Sequence, residues 1–132
     1  MSVFAELCCA SNFSFLRGAS HGDELVLMAK MLGLDAIGIA DRNTMAGVVR
    51  AHVAAKEHGI RLLVGTRLVT TDGFEVISYP QTRAAYARLT KLLTLGNRRA
   101  TKGQCHLTLS DILDAGEGQC FIAMPPATPT AV

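Results

Sequence analysis

Metal-ligating side chains are scarce and scattered in this chain. It has four histidines in 132 residues. His21 falls in the entry turn of the first expected helix, His52 and His58 lie six positions apart on the second, and His106 follows a basic loop. No two of these share a helix face, so each reads as a surface or packing imidazole. The four cysteines, Cys8, Cys9, Cys105 and Cys120, form no CxxC pair. Adjacent on a strand, Cys8 and Cys9 project to opposite faces, which suits neither a shared metal nor a mutual disulfide. They read as reduced, half-buried thiols of a reducing compartment. No apolar run approaches the ~20 residues of a membrane span. The start, "MSVFAELCCAS", lacks the basic head and long apolar centre of a secretory leader, so a cytoplasmic location is expected. Gly-x-Ser-x-Gly, P-loop and Gly-x-Gly-x-x-Gly signatures are all missing.

What is present suits one globular domain: 49% of the residues are hydrophobic, and the length allows a real core. The net charge of +2 conceals segregation. Residues 78–110 carry Arg83, Arg88, Lys91, Arg98, Arg99 and Lys102 and no acid, whereas 111–132 carry only Asp111, Asp114 and Glu117. A one-sign stretch can attract a phosphate backbone, although a solvated face with a loop touching acidic neighbours is the simpler reading.

The pattern alternates strand and helix. "SVFAEL" reads as a strand. A helix follows, with Ser20 and Asp23 at capping-box spacing, an inner face of Leu25, Met28, Ala29 and Leu32, and a stop at Gly33. "DAIGIA" is a buried strand. The next helix is capped by Asn43 or Thr44, presents Met45, Val48, Val49 and Val53 inward, and ends at Gly59. "IRLLVGTRLVT" is a third strand that turns through "TDG" into "FEVISY". Pro80 is placed at the first position of a helix that buries Tyr86, Leu89, Leu92 and Leu93. "LTLSDILDAG" is a short helix capped by Thr108 or Ser110, and "CFIAM" a last strand. The end "PPATPTAV" has three prolines in eight residues and no period, and 127–132 reads as a tail. The β-α-β-α-β order implies an α/β fold with a parallel sheet or barrel.

In such folds chemistry gathers at the carboxyl ends of the strands. "LCCAS", "ADRN" and "GTR" bring Cys8, Ser11, Asp41, Arg42 and Arg67 to that edge, with Arg17 in the loop behind and Glu6 near in sequence. A hydrolytic metal wants several His, Asp or Glu. Here one carboxylate faces three arginines, which cannot ligate.

Three stretches, "ELCCASNFSFLRGASH", "GLDAIGIADRNTMAGVVRAHVAAKEHGIRLLVGTRL" and "YARLTKLLTLGNRRATKGQCHLTLSDIL", resemble the N-terminal PHP (polymerase and histidinol phosphatase) domain of bacterial C-family DNA polymerases. The error-prone, damage-inducible branch is most similar. The resemblance covers about residues 3 to 125 and implies part of a distorted (β/α)₇ barrel, with the PHP domain over 1–126. It also implies metal ligands in active members: a His-x-His pair that falls on Cys8 and Ala10, an Asp-Gly on Arg17-Gly18, an Asp-His on Asp41-Arg42, and a Gly-x-Glu on Gly65-Thr66-Arg67. Only Asp41 retains its type. The resemblance therefore points to a dismantled metal site with no catalytic residue, no metal and no cofactor. Arg42 or Arg67 is expected to pair with Asp41 in the metal's place.

The leading expectation is a structural, non-catalytic portion of an error-prone polymerase acting in damage-induced mutagenesis and translesion synthesis. The chain would then be too short to hold the polymerase core. Its partners would be the rest of that chain, DNA through the parent enzyme and other translesion proteins, with no membrane. An active PHP-type phosphoesterase and a free-standing DNA-binding module using the basic segment are the alternatives. An incomplete barrel leaves an apolar face and a strand edge uncovered, so poor stability in isolation is expected.

Overall fold

The computed structural model describes residues 3–126. Within them the element order is β1 (Ala5–Cys9), α1 (Gly22–Met31), β2 (Ala36–Arg42), α2 (Val48–His58), β3 (Arg61–Val69), β4 (Glu75–Pro80), α3 (Arg83–Arg98), α4 (Leu109–Asp114) and β5 (Gln119–Met124). The expected 127–132 tail lies outside the described residues. The chain divides into two compact units, Met1–Thr66 and Arg67–Val132, and β3 runs through the boundary.

In the first unit the strand order is β1-β2-β3. β1 pairs with β2 in parallel, Ala5 opposite Ala36 and Glu6 opposite Ile37, and a bulge then brings Cys9 opposite Ile39. The β-α-β reading of this half holds. The inner faces of its helices match the expectation only in part: Ala29 is buried and Leu25 packs against the core, but other expected positions face out. On α1 the buried residues are Gly22, Val26 and Ala29, whereas Met28 and Leu32 are exposed. On α2 they are Ala51, Ala54 and Ala55, and Val49 and Val53 face out. The cause is close helix approach: a Cβ built on Gly22 would stand 3.1 Å from the Ala51 Cβ. Small residues fit such a seam, and larger β-branched ones are turned away from it. Val26, Ala29, Ile37, Ile39, Ala51, Ala54, Ala55 and Ile60 form one core cluster.

Helix caps also differ in detail. α1 starts one residue later than the Ser20–Asp23 spacing suggested, with His21 at the N-cap and its amide donating to Glu24 Oε2 at 2.7 Å. Gly59 closes α2 in the left-handed region, φ 66°, where a Cβ would be strained.

In the second unit the order continues β3-β4-β5. The turn between β3 and β4 closes with Thr70 N–H donating to the Phe74 carbonyl at 2.9 Å. Strand β5 runs antiparallel to β4, from Glu75 opposite Met124 to Pro80 opposite Gln119. Pro80 thus ends a strand and does not begin a helix. α3 is capped by the Thr82 hydroxyl, which accepts from Ala85 N–H at 3.1 Å. It buries Ala85, Leu89, Leu92, Leu93 and Gly96, while Tyr86 is exposed. Of the two caps weighed for α4, Thr108 is used, in a reciprocal pair with Asp111. No helix among the described residues is long and apolar enough to cross a membrane.

Candidate functional site

Strand β2 is buried along Ala36–Asp41, and its last buried residue is the acid, 1% exposed. A carboxylate in that position must be answered by donors, because burying one unanswered is prohibitive. The donors come from the loop that follows β1. Ser11 N–H donates to Asp41 Oδ1 at 2.7 Å, Ser11 Oγ to Oδ2 at 2.7 Å, and Ser14 Oγ to Oδ1 at 2.7 Å. Both serines are buried, at 0% and 2% exposure. The Asp41 carbonyl is answered separately, by the hydroxyl of buried Thr66 on β3 at 2.8 Å.

The expected ion pair on Asp41 is not what forms. Arg67 lies on β3 beyond the unit boundary and closes on Glu75, its Nε at 2.8 Å from Oε2. Arg42 is exposed, and only its backbone N–H enters the network, donating to Ser14 Oγ at 3.0 Å. Glu75 captures Arg67 because the turn closed by Thr70 and Phe74 returns the chain within reach, on the neighbouring strand. Serines reach Asp41 because their short side chains fit a buried strand end where a guanidinium would need more room and more acceptors.

The other positions singled out in the sequence separate. Cys8 is exposed, and its N–H donates to Glu6 Oε1 at 2.9 Å. Ala10 offers no donor. Arg17 is exposed in the loop. Burial pushes the Cys9 thiol up, with the charges of Glu6 and Asp41 adding to the effect, so it is a poor thiolate. Among the described residues, no group of three or more His, Cys, Asp or Glu is gathered. Sequence reading noticed Ser11 but missed Ser14 and Gly47. The visible hint was two serines three residues apart directly after a strand.

A PHP domain match covers residues 6–122. The chain belongs to the PHP domain family. Among curated relatives, this PHP chain is 58% identical over 125 residues to the error-prone DNA polymerase of Caulobacter vibrioides, covering 94% of the chain and 12% of that protein. It is 50% identical over 121 residues to error-prone DNA polymerase 1 of Agrobacterium fabrum, covering 92% and 11%. The chain therefore spans only about an eighth of the length of these relatives. Among solved structures it is similar to a protein described as a metal-dependent phosphoesterase from Bifidobacterium adolescentis, with TM-score 0.55 and 24% identity over 84% of this chain and 42% of that one. It also resembles an amidohydrolase of Chromobacterium violaceum, with TM-score 0.53 and 19% identity over 76% and 40%. These two likenesses concern the fold alone, and with the family match they make the α/β arrangement part of a PHP-type barrel.

Asp41 already accepts three hydrogen bonds, two of them from hydroxyl protons that would face an incoming cation. Arg17 and Arg42, both exposed, are cations with no lone pair to offer a metal.

The basic segment also sorts itself. Arg88 donates from Nε and Nη2 to the Glu117 carbonyl at 3.1 and 2.8 Å, closing the end of α4's loop onto α3. Arg99 donates to both oxygens of Asp111, at 2.5 and 3.2 Å. Arg83, Lys91, Arg98 and Lys102 are exposed. Arg98 stands on α3 itself, which runs further than the expected start of a loop at Gly96.

Proposed function

We propose that this chain is the PHP portion of an error-prone DNA polymerase serving damage-induced mutagenesis and translesion synthesis in the cytoplasm, and that its PHP centre is structural and not hydrolytic. The rest of such a polymerase, DNA held by it and other translesion proteins are its partners. One observation carries the reading of the centre: the single acid kept at the family's ligand positions, Asp41, is buried and engaged by serine donors. A metal-bound water needs open coordination positions held by several ligands. Cys8, Ala10, Arg17, Arg42 and Arg67 supply one exposed thiol, one methyl group and three cations. The error-prone polymerase names of relatives at 50–58% identity support the parent assignment.

Two assays test this. With manganese or zinc added, the chain should not hydrolyse nitrophenyl phosphates, and turnover that disappears in Asp41→Asn would contradict the structural reading. Residues 6–122 grafted in place of the matched part of the Caulobacter polymerase should leave primer extension past a lesion intact. A graft that folds but cannot extend a primer would contradict the parent assignment.

A further inference from the structure

We propose that Ser11 and Ser14 tether the β1–α1 loop to the end of β2 through Asp41, doing by hydroxyl protons the bridging that a cation between strand ends would otherwise do. The shape of this corner is then independent of metal. The proposal rests on the structural reading of the centre and adds to it a specific holding device.

The direction of every bond is fixed by its donors. An amide N–H can only donate, and two amides point at the serine hydroxyls: Phe13 N–H at Ser11 Oγ, 3.2 Å, and Arg42 N–H at Ser14 Oγ, 3.0 Å. Each hydroxyl therefore accepts from the backbone and spends its single proton on Asp41, at 2.7 Å in both cases. With Ser11 N–H on Oδ1, both carboxylate oxygens are engaged. Hydrogen bonds to a charged acceptor in a buried site are the strong kind.

Space closes around the same atoms. A Cβ on Gly47 would stand 2.9 Å from Ser11 Oγ and 3.0 Å from Asp41 Oδ2, and one on Gly18 would stand 2.4 Å from the Ser11 carbonyl. The loop folds back tightly on itself, with Arg17 and Gly18 amides donating to the Ser14 carbonyl at 2.9 and 3.0 Å.

Apolar packing gives this loop only a partial hold. Phe13, beside Gly47, is 46% exposed, but Phe15 is 84% and Leu16 88% exposed, and Leu16 sits at φ 62°, a region that costs a non-glycine residue energy. With little apolar burial and a backbone cost at Leu16, the tethers to Asp41 are the buried polar restraint on the loop, beside the hydrogen bond from Asn12 N–H to the Ser20 carbonyl at 2.8 Å. Asp41 thereby links the loop to β2 through its side chain and β2 to β3 through its carbonyl.

Hydrogen exchange and thermal melting of the full chain test the tether. Ser14→Ala should reduce amide protection across residues 11–18 by at least about 10-fold and lower the Tm by roughly 5–10 °C. Ser110→Ala, at an exposed position, should do neither. Excess EDTA should leave protection and Tm of the unaltered chain unchanged, an arm that holds even where Ser14→Ala fails to fold. Loop protection unmoved in both Ser11→Ala and Ser14→Ala would overturn the tether alone. A fall in loop protection on adding EDTA would overturn it too, and phosphoesterase turnover with bound metal would take the structural reading down with it.

Discussion

Asp111 shows at the residue scale what a partner does to a half-buried acid. Hydrogen bonds from Arg99 first, then from the Thr108 backbone, lower its pKa to about 2. Folded Asp111 therefore holds its charge more tightly than it does in the unfolded chain. Its contribution is complete above the ordinary value of 3.8 and is lost as pH falls towards about 2. The expected outcome is an NMR titration midpoint near that low value, returning to the usual carboxylate range in Arg99→Ala. Thr66 makes a second case. Replacing it with Val keeps the shape but leaves the buried Asp41 carbonyl without its 2.8 Å donor, so a loss of about 1–3 kcal/mol is expected in denaturant melts. At this scale the sequence made Asp41 legible but not its partners. Charge counting favoured arginine. It could not register that Glu75, across the turn, would take Arg67, or that a buried strand end admits a serine more readily than a guanidinium.

At the scale of elements, the strand and helix order was readable because alternation and turn residues are local signals. Helix faces were not readable, because the choice between alanine and valine as the inner residue depends on how closely two helices approach. The α1–α2 seam admits Gly22 beside Ala51, and so Val49 and Val53 face solvent. A parallel case in the second unit yields a prediction. A Cβ on Gly96 of α3 would meet Cys105 Sγ at 2.5 Å and Leu107 Cδ2 at 2.8 Å. Gly96→Ala should therefore destabilise by about 1–3 kcal/mol, despite alanine's better helix propensity, as read by the chemical-denaturation midpoint. Arg88 and Arg99 are spent on intramolecular contacts. If the basic segment binds DNA, neutralising Arg83, Lys91, Arg98 and Lys102 should weaken binding and flatten its salt dependence. Binding unaffected by that change would exclude the segment as a DNA surface.

For the whole molecule, the family was written in the sequence and the PHP match agrees with it. What the sequence implied about stability follows from surface. Phe4, Phe15, Leu16, Met31, Leu32, Val49 and Leu113 are more than half exposed among the described residues. Apolar side chains left in water contribute little to folding, and clustered ones favour association. The isolated chain should therefore melt below about 50 °C, in the lower part of the range usual for small domains. A cooperative transition well above that, in a monomer by sedimentation, would contradict the expectation.

Calorimetric titration of zinc or manganese into the chelator-stripped chain decides whether hydroxyl donors or a cation serve Asp41. If serine hydroxyls already occupy Asp41, the heats should match dilution, with no saturable site. Stoichiometric, saturable binding that vanishes in Asp41→Asn would show that the acid still serves a cation, and the account of this corner would be wrong.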